Sequence, residues 1–309
     1  MNQGIDFYNL SQELAGAIFG ALFQKLEQPA IPPPPLLQLR RGRAEAPAWF
    51  LVQAAEFEPE PISVKKLRVR DIYASERIVF ALLELMASEK WLEPAGEGEY
   101  ALAPAGRALQ KDLNMRRSDA LGKVTVFLET AGLARLESLL ERIIESSLAW
   151  DDPPGSWCLR HSRNRAPGKD ALPQERILQY TSDFNAFRDD AHMAAWQPYD
   201  ISGYAWEGFS FIWSGQADTA EDIDRHLYYR GYSTKEYAAA LQELVQRGWL
   251  EEKSAARYAL TPKGVEIREE AERKTDQYFY APWRSLQETE ISELHTLLLK
   301  LRDNLQQNS

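Results

Sequence analysis

Between residues 6 and 26 apolar side chains return every three or four positions, through Asp6-Phe-Tyr-Asn-Leu and Ala17-Ile-Phe-Gly-Ala-Leu-Phe-Gln-Lys-Leu. That rhythm predicts a helix packed on other apolar surface. Pro29–Pro35 interrupts it, and Pro32-Pro-Pro-Pro favours an extended linker or strap. The pattern then predicts helices at Ala46–Phe57, Ser63–Tyr73 and Ala74–Lys90, with a break at Glu58-Pro-Glu-Pro. Leu92–Pro94 and Tyr100–Ala103 read as short strands around Gly96-Glu-Gly-Glu, a turn suited to a hairpin, and Pro104-Ala-Gly opens the next helix.

Residues 118–148 carry a broad apolar stripe (Leu121, Val124, Phe127, Leu128, Leu133, Leu136, Leu139, Leu140, Ile143, Ile144) and are expected to be helical, as a domain connection or a dimer surface. Residues 151–174 have no period and many turn formers, which predicts an inter-unit loop. Its basic cluster, Arg160, His161, Arg163, Arg165 and Lys169, reads as solvated, with an anion contact as the sharper alternative. Helices follow at about 175–196, Gly208–Ser214, Thr219–Tyr229 and Ser233–Arg247, then a hairpin at Glu251–Tyr258. A helix from Thr261 to about Tyr280 and an amphipathic helix at Thr289–Leu305 complete the chain. Ser233 with Glu236 has the spacing of a capping box, and Gly248 supplies a left-handed stop before Trp249.

Residues 83–106 recur without a gap at 241–264, an offset of 158 that carries Leu83 onto Leu241, Trp91 onto Trp249, Tyr100 onto Tyr258 and Gly106 onto Gly264. A duplicated unit of helix, Trp-Leu pair, hairpin and Pro-x-Gly predicts a mainly α fold with short β-hairpin wings: tandem winged-helix (helix-turn-helix) domains. The expected division is residues 1–148 as the first unit with flanking helices, 149–174 as linker, and 175–309 as the second unit.

Length and composition narrow this little. A chain of 309 residues, 44% hydrophobic and 27% charged, suits about two ordinary globular domains. No apolar run approaches the roughly 18 residues that span a bilayer, and the N-terminus lacks the basic start of a signal peptide. A single cysteine, Cys158, excludes an internal disulfide and makes no zinc site. A cytoplasmic location and no membrane partner are the expectations. A net charge of −10 sits awkwardly with DNA binding, which draws on Lys and Arg at phosphates.

The second copy carries Arg188-Asp-Asp-Ala-His, Arg230-Gly-Tyr-Ser-Thr-Lys-Glu-Tyr-Ala-Ala-Ala-Leu, Arg247-Gly-Trp-Leu, Leu260-Thr-Pro-Lys-Gly, Lys274-Thr-Asp and Ala281-Pro-Trp-Arg-Ser-Leu. Over roughly residues 183–300 it resembles the bacterial SalK-like helix-turn-helix family. The resemblance implies a regulator-like winged-helix protein and no reaction. The first copy is similar to generic MarR-like wings and to the small dimerisation domains that precede some methyltransferases. No Gly-x-Gly-x-Gly loop follows it, so it brings no methyltransferase site.

Candidate DNA contacts are Ser233, Thr234, Lys235 and Gln242 on the recognition-position helix, with Lys253 and Arg257 on the wing. Residues 217–277 nevertheless hold 10 basic and 13 acidic side chains, a net of −3. The first copy presents Glu76 and Glu84 where the second has Thr234 and Gln242, and is a poor reader. Catalysis is unsupported: four histidines (His161, His192, His226, His295) form no ligand pair, Asp151-Asp152 and Asp189-Asp190 are adjacent rather than facing, and neither a metal nor a cofactor is expected. His192, Trp206 and Trp213, in an aromatic-rich stretch, are candidates for an apolar or aromatic effector, with core packing as the plainer account. The expected protein is a homodimeric, transcription-regulator-like molecule with double-stranded DNA as partner. The alternative is a ligand-binding or protein-interaction module on the same scaffold.

Overall fold

A computed structural model describes residues 6–25, 46–124, 128–150, 153–253 and 256–307. The proline-rich stretch Pro29–Pro35, Leu26 and Phe127 lie outside the described residues. In chain order the helices and strands are α1 (Phe7–Lys25), α2 (Ala46–Phe57), β1 (Ile62–Ser63), α3 (Val64–Arg70), α4 (Glu76–Ser88), β2 (Leu92–Gly96) and β3 (Glu99–Leu102). There follow α5 (Pro104–Gly122), α6 (Thr130–Leu148), α7 (Trp157–Arg163), α8 (Pro173–Trp196), α9 (Gly203–Trp213), α10 (Ala220–Leu227) and α11 (Thr234–Gln246). Strands β4 (Leu250–Glu252) and β5 (Tyr258–Leu260) precede α12 (Pro262–Tyr280) and α13 (Glu288–Gln307). The protein is therefore mostly helical with small antiparallel sheets.

The sequence repeat has a structural counterpart. Adding 158 to the bounds of α4 gives those of α11, and adding it to α5 gives α12. Ser75 and Ser233, one offset apart, each cap their helix by accepting the backbone N–H three residues on. Both helices end on a left-handed residue, Lys90 at φ 61° and Gly248 at φ 74°, and both then send the following Trp N–H back to the helix, Trp91 to Met86 O and Trp249 to Leu244 O, each at 2.9 Å. The hairpins pair Leu92 with Leu102 and Leu250 with Leu260. Strand β1 adds Ile62 opposite Tyr100, giving the order β1-β3-β2.

The chain forms two compact units, each drawn from both halves of the sequence. The first comprises Met1–Phe57, Pro104–Ala191 and Gln277–Ser309; the second comprises Glu58–Ala103 and His192–Asp276. In the first, α1 and α13 pack along each other, and Leu14, Leu139, Ile143, Phe187, Phe279 and Leu294 are fully buried. The second unit holds the α3–α4 hairpin module together with the α9–α11 module, and Ile72 and Tyr73 of the former pack on the aromatic core of the latter.

Two local expectations change. The helical stretch over 118–148 is broken, since α5 ends at Gly122 and α6 begins at Thr130. The loop expected at 151–174 contains α7, whose start is satisfied from a distance: the Asp190 carboxylate accepts the N–H groups of Cys158 at 2.8 Å and Leu159 at 3.0 Å. The basic cluster on α7 is engaged internally. Arg163 pairs with the buried Asp183 at 2.8 Å and Arg165 with the buried Glu56 at 2.7 Å, while His161 stacks between Trp157 and Phe57.

Candidate nucleic-acid interface

Helices α10 and α11 meet through a tight turn, the single helical turn Tyr228–Arg230 ending on Gly231 at φ 79°. Ser233 then starts α11 with a complete capping box: its hydroxyl takes the Glu236 N–H, and Glu236 Oε2 accepts the Ser233 N–H at 2.8 Å. Those backbone and hydroxyl bonds, with Arg77 beside them, hold the Glu236 carboxyl down at about 2.

The six candidate DNA contacts fall on one helix and one hairpin, in different circumstances. Ser233 and Lys235 are exposed at the head of α11. Thr234 donates its hydroxyl to Asp224 on α10. Gln242, two turns on, donates to Glu252 and to the Tyr258 hydroxyl, each at 2.9 Å, tying α11 to its hairpin. The hairpin cations are paired with carboxylates: Lys253 meets Glu251 at 2.6 Å and Arg257 meets Asp218. These pairs are exposed, so each is worth at most about 1 kcal/mol and yields readily to a competing phosphate.

A set of contacts that sequence reasoning missed joins this head to the N-terminus of α4. Ser75 N–H donates to Arg230 O at 2.8 Å, and Ser75 Oγ donates to Gly231 O at 3.2 Å. Arg77 Nη2 reaches Gly231 O at 2.7 Å and Glu236 at 2.8 Å. Arg230 crosses the join in the other direction: its Nη1 donates to both Asp71 carboxylate oxygens at 2.8 and 2.9 Å, while Nε and Nη2 fork onto Glu207 of α9, the shortest bond at 2.7 Å. Burial alone would depress the Arg230 guanidinium; the Asp71 and Glu207 carboxylates overcome it and hold it above the ordinary arginine value. The backbones touch so closely that a Cβ on Gly231 would lie 2.5 Å from Ser75 Oγ, and one on Gly203 would lie 2.6 Å from Ile72 O. The signal available in sequence was the pair of equivalent serine caps; nothing in it said that the two caps face one another.

The candidate effector residues also come together. Trp206 Nε1 donates to His192 Nε2 at 3.2 Å, and His192 Nδ1 lies 3.1 Å from Thr275 Oγ1. Trp196 and Tyr199 stack near Trp206, and the buried Arg268 guanidinium lies 4.4 Å from the Trp206 ring centre and 5.0 Å from that of Trp213. Arg268 pairs with Glu272 at 2.7 Å while its Nε and Nη1 have no acceptor among the described residues, and burial lowers its pKa. Trp213 keeps one exposed edge; Trp206 is fully enclosed.

The two copies differ in charge where they would face a partner. Residues 76–100 (helix α4 and its hairpin) hold six acidic and two basic side chains, whereas residues 234–258 (α11 and its hairpin) hold four of each. Phe80 on α4 stands 52% exposed where the second copy has the smaller Ala238. Among the described residues no three His, Cys, Asp or Glu side chains are placed to hold a metal ion, and no helix is long and apolar enough to cross a membrane. In comparisons with known proteins, no curated protein and no solved structure matches the chain. Residues 169–309 match the model of a helix-turn-helix family, so the C-terminal half of this chain carries a helix-turn-helix domain.

Proposed function

We propose that the protein is a transcription-regulator-like, tandem winged-helix molecule whose second copy contacts duplex DNA. The observation that carries this reading is the helix-turn-helix match over the half in which α11 presents Lys235 and the hairpin presents Lys253 and Arg257. The two heads touch, so they cannot enter successive major grooves, which lie about 34 Å apart. A two-site operator would instead need two chains, each supplying one head; a homodimer is therefore part of the proposal. With helix and hairpin at zero net charge, few counterions are released, and the slope of log affinity against log salt should be shallow, about −2 to −3. MarR-like and SalK-like kinship and a cytoplasmic location belong to this proposal. The geometry of His192 and Trp206 favours a packing role, because their polar atoms are spent on neighbours.

A second reading, a protein-interaction module that does not read DNA, is favoured by the acidic first copy with its exposed Phe80. Fluorescence anisotropy with a pooled random-sequence duplex separates the two. Retention at low salt that falls about tenfold in Lys235→Glu/Lys253→Glu supports DNA contact by α11 and its hairpin. Equal retention by the variant, or none by either protein, favours the second reading.

A further inference from the structure

Helices α4 and α11 each begin at a serine cap, and within the second unit these two beginnings are fastened to each other. In a DNA-reading helix the first turns are the part that meets base edges. Here Arg77 of α4 holds the first turn of α11 through Glu236 at 2.8 Å and the turn before it through Gly231 O at 2.7 Å. Behind it the Ser75 amide holds Arg230 O at 2.8 Å, and Arg230 itself is anchored by Asp71. The contact is specific in sequence as well as geometry. Gly231 adopts a left-handed backbone at the point of closest approach, with Ser75 Oγ and the Ile78 side chain occupying the space a Cβ would need.

We propose that this join is an autoinhibitory clasp: Ser233 and Lys235 stay exposed, but α4 of the first copy stands against one side of the reading end of α11, and DNA engages the second copy after the clasp opens. This rests on the DNA-reading function proposed above and explains why the fold keeps an acidic, non-reading copy beside a reading one. The bonds at its rim are of a kind that can yield. Arg77 and Glu236 are exposed side chains, 65% and 36%, whose pairing is worth little in water, and Arg77 is a cation that phosphate would compete for. The bond at its back, Arg230 with Asp71, is more enclosed and sets how far the two heads can part, while Glu207 holds Arg230 from its own side. A clasp that holds the reading state at a minor population weakens apparent affinity by that fraction, and loosening it restores the affinity.

The test compares the full-length protein with Arg77→Gln/Asp71→Asn, using a pooled random-sequence duplex at low salt as the probe and amide hydrogen exchange as the second measurement. Circular dichroism melts establish that the variant is folded. The expected result is about tenfold tighter binding by the variant, although it has lost one cation, and faster exchange at residues 72–80 and 228–236 of the wild type when DNA is added. Equal or weaker binding by the folded variant, with those segments as protected in the DNA complex as in the free protein, overturns the clasp and leaves the DNA-reading function standing. No binding by either protein removes the function and the clasp together.

Discussion

Gly231 shows how much of this molecule is decided at single residues. Its positive φ would suit asparagine or a strained alanine in an open turn, at a cost of roughly 1 kcal/mol. What sets this turn apart is the neighbour: a Cβ there would lie 2.5 Å from Ser75 Oγ and 2.8 Å from Ile78 Cβ, inside any normal contact. Gly231→Ala therefore adds overpacking to backbone strain and is expected to cost roughly 2 to 4 kcal/mol. Gly215→Ala is the matched comparison, because that glycine has a similar φ of 70° but nothing within 4 Å of the added methyl, and should cost about 1 kcal/mol. Urea denaturation of the two variants reads the difference directly; equal losses would mean that the heads of α4 and α11 are not packed as described. Ser233 is the residue-scale feature that sequence reveals, since a serine cap needs only its own helix. Arg230 is the opposite case. Its partners, Asp71 and Glu207, stand 159 and 23 positions away, and no local pattern announces them.

Elements divide along the same line. Helices α4, α11, α12 and α13 and both hairpins lie within a few residues of their expected positions because each carries its own periodicity, cap and stop. Helix α7 was hidden because its stabilising groups lie elsewhere. Seven residues without a side-chain cap of their own are too short to stand alone in water, and Ser156 makes no capping bond. The Asp190 carboxylate supplies the cap from α8, and Arg163 and Arg165 fasten the other end to Asp183 and Glu56. Replacement of Asp190 by Ala strands two buried N–H groups and is expected to destabilise the first unit by roughly 2 to 4 kcal/mol. The accompanying sign should be faster hydrogen exchange at the start of α7, with exchange across α11 unchanged. Loss of protection at α11 as well would show that the cap supports more than its own helix. The basic cluster in and after α7 looks solvated in sequence for the same reason that α7 looks like loop: the acids that engage Arg163 and Arg165 come from α8 and α2.

At the scale of the whole molecule, the duplication seen in sequence is not a division into two bodies. The segment that matches the helix-turn-helix family, residues 169–309, contributes to both compact units and completes neither. In the first unit it supplies most of α8, the end of α12, the turn Ala281–Ser285 and the end helix α13: Phe7 packs against Trp283, Tyr8 against Phe279, and Arg142 reaches Glu290 and Ser285 O. In the second unit it supplies the aromatic core but not Ile72 and Tyr73, which close one side of it. Expressed alone, residues 169–309 would partly uncover Phe279, Trp283, Leu294 and Leu298, each nearly fully enclosed in the intact chain. At about 25 cal/mol per Å² of apolar surface, exposing a few hundred Å² costs roughly 5 to 10 kcal/mol, comparable with the whole stability margin of a typical domain. The fragment is therefore expected to keep helical circular dichroism but to bind a hydrophobic dye and to melt without a cooperative transition. The intact chain should show sharp unfolding and little dye binding. A fragment that melts cooperatively and disperses its amide resonances like a folded protein would show that the helix-turn-helix half is self-sufficient, and the first half would then have to be explained by what it does to DNA reading rather than by what it covers.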